Sequence, residues 1–296
     1  MTKSRQSYIY AGLAIFFWST VPTVFKICLK ELGILPMLTI ASLVSAIVLF
    51  IVLAAGRKTR LVWKLTPGDL FHSALLGLLN PVIYYLLLLK AYQLLPAQVA
   101  QPSNMIWPII LVFLSIPILG QKIKIRSFVA LFISFAGVYI IASQGHLFSP
   151  GHADIKGVLL AVASSFFWAL YFILNMKDLR DEALKLFLNF LFGTIYLVIA
   201  LLITGRLQLS GLTFRGVGAA VYVGIFEMGI TFLFWLKALQ LAETTDKVSN
   251  LVYIAPFLSL IFVHFIIHEP VYYTTPVGLG MIIAGIWLQN RKPRRV

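Results

Sequence analysis

Ten apolar runs, each long enough to cross a bilayer, set the limits on what this chain can fold into. They cover residues 8–28, 36–55, 70–92, 97–118, 126–143, 157–175, 185–204, 216–238, 247–267 and 275–290. A helix crosses the hydrocarbon layer with about 20 apolar residues. Lipid offers no partner to a bare backbone, so each span must be a helix or a strand of a closed barrel. Barrel strands have about 10 residues and alternate apolar with polar. These runs are about twice that length and do not alternate. The expected fold class is an all-α integral membrane protein with ten transmembrane helices. Composition excludes the other classes. Only 11% of the residues are charged and 60% are hydrophobic, whereas a soluble domain carries roughly 25% charged residues. So little charge cannot cover a globule, which excludes a soluble enzyme, a disordered tail and a collagen-like fibre. The first run follows Lys3 and Arg5, as a signal peptide would. It lacks a small-residue cleavage site and nine further runs follow, so it reads as a retained helix. The single cysteine, Cys28, excludes an internal disulfide framework and a Cys-rich metal site.

The net charge of +14 would point to nucleic acid on a soluble domain. Here the basic residues form short clusters between apolar runs, so no nucleic-acid partner is expected. With the N-terminus in the cytoplasm, seventeen Lys and Arg fall in cytoplasmic segments against four outside. That bias follows the positive-inside rule. It predicts an even number of spans, both termini cytoplasmic, in a multi-pass protein of the cytoplasmic (inner) membrane. The lipid bilayer is the expected surrounding partner, and the protein is expected to be a monomer or a homodimer.

The two halves of the chain resemble each other. Gly77–Leu94 reads GLLNPVIYYLLLLKAYQL and Gly224–Leu241 reads GIFEMGITFLFWLKALQL, an offset of 147. Phe135-Ala136-Gly137-Val138 matches Ile283-Ala284-Gly285-Ile286 at an offset of 148, and Phe16-Phe17-Trp18 matches Phe166-Phe167-Trp168 at 150. Each repeat then holds five spans: residues 1–143, an external linker at 144–156, and residues 157–296. Five is odd, so the second copy enters the membrane upside down relative to the first. Inverted repeats of this kind place a solute near the midplane between the halves and support alternating access.

Glu227 is the deepest acid, in the middle of the eighth run. A carboxylate there costs on the order of 2.5–3.5 kcal/mol on insertion scales, so it should face a cavity or a partner. It is a candidate to bind a cationic group or carry a proton; as a structural acid it would pair with Asn80 or Tyr84. Asn80 holds the matching place in the third run, beside Pro81. In the sixth run Ser164, Trp168, Tyr171 and Asn175 are spaced by 4, 3 and 4 and share one helix face. The fourth run carries Asn104 and Trp107, the ninth Asn250 and Tyr253, and the first Trp18 and Ser19. Tryptophan at mid-depth is unusual, since it favours the interfaces; there an indole can stack on a ring or hold a cation. The competing reading of these side chains is helix packing and interhelical hydrogen bonding. The candidate substrate-binding set is Trp18, Ser19, Asn80, Tyr84, Asn104, Trp107, Trp168, Tyr171, Asn175, Glu227, Asn250 and Tyr253. Pro22, Pro108 and Pro256 are hinge or gate candidates, because proline frees a backbone carbonyl. Lys26, late in the first run, is expected to snorkel to the outer interface rather than grip a carboxylate. His146 and His152 form no metal-ligand pattern, and no metal or cofactor is expected.

Leu13–Lys26 (LAIFFWSTVPTVFK), Asn104-Met105-Ile106-Trp107-Pro108, Gly120-Gln121-Lys122 and Phe167-Trp168-Ala169-x-Tyr171 carry a family likeness. With these motifs in a five-plus-five arrangement, the chain resembles the drug/metabolite transporter superfamily, EamA family. Within it the likeness is nearest to the YddG-type aromatic amino-acid exporters. The resemblance implies Trp18, Trp107 and Trp168 lining a central cavity, and export of aromatic or neutral amino acids or related metabolites. Glu227 departs from that pattern and supplies the alternative: a carrier or multidrug exporter of cationic or quaternary ammonium compounds, coupled to protons. A lipid flippase is the remote alternative on the same scaffold. No G-x-x-x-x-G-K-[ST] loop is present, so gradients rather than ATP must drive transport. No H-E-x-x-H and no pair of mid-span acids is present, so an enzyme is not expected.

Overall fold

The computed structural model describes residues 2–119, 125–146, 153–205, 212–241, 251 and 254–290. Among these residues the regular secondary structure is all helical. The helices are α1 (Lys3–Glu31), α2 (Ile34–Ala55), α3 (Pro67–Gly77), α4 (Tyr84–Leu94), α5 (Ala97–Asn104), α6 (Trp107–Leu119), α7 (Ile125–Ala142), α8 (Ile155–Lys177), α9 (Glu182–Thr204), α10 (Phe214–Tyr222), α11 (Ile230–Leu241), α12 (Ile254–Ile267) and α13 (Thr274–Asn290). A 3₁₀ segment, Thr59–Lys64, follows α2. Among the described residues six continuous stretches are long and apolar enough to cross a membrane: Lys3–Glu31, Ile34–Ala55, Pro67–Leu94, Ile155–Asn175, Glu182–Thr204 and Phe214–Trp235.

Polar caps end these apolar helices where water can reach them. Thr66 and Asp69 form a reciprocal capping box around Pro67 at the start of α3. Asp154 accepts from the Lys156 and Gly157 amides at the start of α8, and Asp181 from Ala183 and Leu184 at the start of α9.

Two of the long helices are interrupted at their centres. Between α3 and α4 the π segment Leu78–Ile83 holds Asn80 in a non-helical conformation before Pro81. Between α10 and α11 the π segment Val223–Glu227 ends in the Met228 amide bonded to the Val223 carbonyl five residues back. Such a bulge frees carbonyls that must find other donors in a lipid-facing helix. The Thr231 hydroxyl takes the Phe226 carbonyl, and the Ser45 hydroxyl of α2 takes that of Met228 at 2.9 Å. Asn80 and Glu227 hold matching places, each thirteen residues after the first residue of its stretch, Pro67 and Phe214.

Helix pairing is matched across the chain. α2 packs on α9 and α7 on α13. α1 lies against α11 and α12, while α8 lies against α4, α5 and α6. The close approaches use small residues. A Cβ on Gly77 would lie 2.5 Å from the Asn189 carbonyl oxygen of α9, and one on Gly224 2.5 Å from that of Ala41 of α2. A Cβ on Gly137 would come within 2.5 Å of the Gly278 carbonyl oxygen, and one on Gly278 closer still to that of Gly137. Backbone cannot give way as a flexible side chain can, so Gly278→Ala should separate α7 from α13. The expected loss is about 1–2 kcal/mol, the usual scale of overpacking, visible as a lower Tm in detergent. An unchanged Tm would mean the crossing relaxes freely.

The contacts also sort the loops into two ends. At one end Lys26 meets Glu269, Gly145 accepts from the Tyr273 hydroxyl, and Glu31 accepts from Thr213. At the other, Ser7 near the N-terminus donates to the Ala238 carbonyl at 2.6 Å, and Lys58 meets Asp181 at 2.7 Å. At this second end the Arg180 guanidinium grips Asp178 at 2.5 Å and reaches the Asp69 carbonyl and the Ser73 hydroxyl of α3. Burial pushes the Asp178 carboxyl up, but the Arg180 hydrogen bonds and charge outweigh it and hold the group below the usual carboxylate range. Asp181, partly buried and gripped by Lys58, is lowered in the same way. A carboxyl lowered in the folded state adds stability above its unfolded value, about 3.9, and loses it as pH falls through the lower folded value. Thermal unfolding should therefore shift to lower temperature as pH drops below about 4, and Asp178→Asn should flatten that dependence. A wild-type Tm that does not fall in that window would contradict this account.

Candidate functional site

The interrupted centre of α10–α11 brings Glu227 to the inside of the bundle, only 9% exposed. Its Oε1 accepts from the Tyr85 hydroxyl of α4 at 3.0 Å. Its Oε2 is buried with no hydrogen-bond partner among the described residues. The partner is thus Tyr85, not the Asn80 or Tyr84 expected from the sequence. α4 restarts at Tyr84, and successive helical residues diverge by about 100°, so Tyr84 and Tyr85 serve different neighbours. The Tyr84 hydroxyl instead reaches Asn104 Oδ1 at 3.4 Å. Asn104 Nδ2 donates to the Ser164 hydroxyl at 2.8 Å, and the Asn104 carbonyl accepts from Ser165 at 2.8 Å. Asn104 ends α5 immediately before the break at Met105–Ile106, so its side chain and carbonyl are both available to α8.

Aromatic rings surround this polar core. Trp168 of α8 is its hub: its ring centroid lies 4.8 Å from Tyr84, 5.6 Å from Phe232, 6.3 Å from Tyr171 and 6.4 Å from Trp107. Phe232 continues to Trp18 at 6.3 Å, and Trp18 to Trp235 at 5.4 Å. Tyr85 packs edge-on against Tyr84 at 4.6 Å. The group therefore draws on α1, α4, α6, α8 and α11.

The other candidates lie as follows. Asn80 is 1% exposed, and its Oδ1 has no partner among the described residues; it holds in the first half the place Glu227 holds in the second. Asn175 is buried near the end of α8, where its Oδ1 accepts from Asn189 and its Nδ2 donates to the Tyr171 carbonyl. Asn189 also reaches the Tyr171 hydroxyl at 3.2 Å. Ser19 spends its hydroxyl on the Phe16 carbonyl of its own helix at 2.6 Å. Asn250 and Tyr253 lie outside the described residues. α1 runs unbroken through Pro22. Pro256 is the third described residue of α12 and is buried. Pro108 follows the first residue of α6, just after the break between α5 and α6; its side chain is outside the description. Lys26 does grip a carboxylate, that of Glu269 at 3.4 Å. The expectation of free snorkelling is corrected: the chain brings a fixed anion within its reach.

Sequence reading missed Tyr85, Phe232, Trp235 and Asn189. Tyr85 and Phe232 are separated by 147 residues, the repeat offset, and that offset was the available signal. Among the described residues no three His, Cys, Asp or Glu side chains gather to hold a metal. Chemically, the site offers one carboxylate oxygen unengaged among the described residues, amide and hydroxyl groups, and aromatic rings in tilted and edge-on contact. That combination suits a hydrogen-bond donor or cation attached to an apolar body.

Against known proteins, the chain matches the model of the EamA-like transporter family twice, over residues 5–143 and 155–291. It is 28% identical to an "Uncharacterized transporter" of Clostridium kluyveri over 291 residues, covering 95% of this chain and 92% of that one. It is 26% identical to the "Uncharacterized transporter YvbV" of Bacillus subtilis over 296 residues, covering 99% and 94%. A solved structure titled "Crystal structure of protein" superposes with a TM-score of 0.66 at 17% identity, covering 97% of each chain, a likeness of fold.

Proposed function

The chain belongs to the EamA-like transporter family and is a multi-pass membrane transporter of small solutes, and from that premise we propose that it exports an amino acid or related metabolite whose ammonium group docks on Glu227. Aromatic and neutral amino acids are the favoured class. The observation that carries this reading is the buried Glu227 Oε2, without a partner among the described residues, on a carboxyl held by Tyr85, whose ring packs on Tyr84 and through it on Trp168. Buried carboxylates are costly unless paired, and a solute ammonium supplies the missing charge and donor together.

The scaffold we propose is ten transmembrane helices in two inverted repeats, 1–143 and 157–296, joined by the external linker 144–156. Three features support it. The family model matches twice, once in each half. Asn80 and Glu227, one in each π interruption, are 147 residues apart, and Gly77 meets α9 as Gly224, also 147 residues on, meets α2. The cross-packing of α1 on α11 and α12 is mirrored by α8 on α4, α5 and α6. Alternating access then consists of each half exchanging its tilt around a fixed central site. The cationic bias favours both termini in the cytoplasm, in the inner membrane. Lipid is the surrounding partner, and a monomer or homodimer suffices.

A second reading rests on the same observation. The same unengaged oxygen would take a cationic or quaternary ammonium solute or a proton, which makes Glu227 the coupling group. Flux into proteoliposomes separates the readings. Phenylalanine should move, and N-acetylphenylalanine, which lacks the ammonium group, should not. If phenethylamine or tetraphenylphosphonium moves and phenylalanine does not, the cationic reading replaces the first. Equal flux of phenylalanine and its N-acetyl form removes the ammonium contact, and no protein-dependent flux of any of the four refutes transport of this solute class.

A further inference from the structure

A second polar cluster lies away from the aromatic site, at the end of the bundle opposite the N-terminus. The Lys26 ammonium of α1 meets Glu269 at 3.4 Å and donates to the Leu95 carbonyl at 2.5 Å. The other Glu269 oxygen accepts from the Ala97 amide, in the first turn of α5, at 2.7 Å. Gln98 adds three bonds: its Nε2 donates to the Pro270 carbonyl, and its Oε1 accepts from the Tyr272 amide at 3.1 Å and the Thr275 hydroxyl at 2.9 Å. Every one of these bonds except Lys26–Leu95 joins the first half of the chain to the second. Both ion-pair side chains are largely enclosed, at 22% and 19% exposure.

We propose that Lys26, Gln98 and Glu269 form the gate that closes the solute pathway at this end, which on the orientation above is the outer one. The reading rests on alternating access between the two halves, and the chemistry suits a contact that must break and reform. Lys26, Glu269 and the Ala97 amide lie at a helix end where water can replace each bond as the halves part, so opening strands no polar group in lipid. An apolar seal of the same area would expose hydrocarbon at every cycle. Glu269 also faces the positive end of α5, which favours a carboxylate at the closed position. The gate is tied to the central site by one short element. Gln98 at the gate and Asn104 at the site are both on α5, six residues or about 9 Å of helix apart. Gln101, between them, accepts from Ser259 of α12. A tilt of α5 therefore moves gate and site together. The prolines singled out from the sequence are not in this cluster.

The test uses the full chain with Cys28→Ala, which removes the single native thiol, and Gln101→Cys as a reporter one turn below the gate. A membrane-impermeant maleimide is applied from outside to proteoliposomes of known orientation. Lys26→Met and Glu269→Gln should each raise the labelling rate at least tenfold; an unchanged rate in both overturns the proposal. A second pair guards against misfolding. Lys26→Cys with Glu269→Cys, joined by a short cleavable thiol cross-linker, should stop flux and regain it on cleavage. Flux unaffected by cross-linking overturns the gate as well. Labelling does not depend on which solute is carried. A gate that responds in a protein moving none of the tested solutes refutes the solute reading alone, and flux without a labelling response refutes the gate alone.

Discussion

Glu227→Gln should reduce flux of an ammonium-bearing solute about 30-fold or more, while the protein inserts and folds at least as well as the parent. Glutamine keeps the shape of the side chain and can still accept from Tyr85, which lies 3.0 Å from Oε1. What it removes is the charge at Oε2, which has no partner among the described residues. Losing one partner of a desolvated ion pair costs about 2–5 kcal/mol, and 1.4 kcal/mol is a factor of ten. Insertion should not suffer, because a mid-span carboxylate is itself unfavourable by on the order of 2.5–3.5 kcal/mol. Loss of flux with a preserved elution profile therefore points to the site and not to the fold. Tyr85→Phe sharpens the result. It removes a neutral donor and keeps the charge, so its effect should be near 1 kcal/mol, the scale of a single hydrogen bond. Equal flux for Glu227→Gln and the parent at every pH tested would make Glu227 a structural acid.

Trp168→Ala should discriminate by the shape of the solute. Its ring stands among Tyr84, Phe232, Tyr171 and Trp107, so its loss takes away the shared face of the cluster. Stacking and cation–π contacts of this kind are worth roughly 1–3 kcal/mol. Apparent affinity for phenylalanine should weaken by about 5- to 150-fold on that scale, and affinity for alanine much less. Competition of labelled phenylalanine flux by the two unlabelled amino acids measures both. If the two fall together, the indole serves packing and lies outside the pocket. The comparison matters because the stripe Ser164, Trp168, Tyr171 and Asn175 is legible at helical spacing, but spacing alone cannot separate a pocket wall from a helix contact. The structure divides the stripe. Trp168 is the hub of the rings, whereas Asn175 is engaged with Asn189 at the far end of α8.

Much of the fold was written in one-dimensional pattern. Apolar runs announce helices because each hydrogen bond in lipid must be made within the segment. Glu227 announced itself by cost, since an acid at mid-depth needs a reason. The breaks at Asn80 and Glu227 were less visible. Pro81 marks the first, but the sequence around Val223–Glu227 carries no proline, and its π turn depends on Ser45 of another helix taking a freed carbonyl. Tyr85 was overlooked beside Tyr84 because adjacent residues on a helix look alike until their neighbours are known.

Local chemistry thus determined the number and polarity of the apolar runs, the family likeness and the deep carboxylate, since hydropathy and charge act on each segment separately. Tertiary structure alone decided that Tyr85 rather than Asn80 or Tyr84 holds Glu227, that Phe232 bridges Trp18 to Trp168, and that Lys26 meets Glu269 across 243 residues. Those pairings depend on how far each helix is rotated and shifted against its neighbours. Rotation and shift are set by where glycines let two backbones touch, as Gly77 does at Asn189 and Gly224 at Ala41.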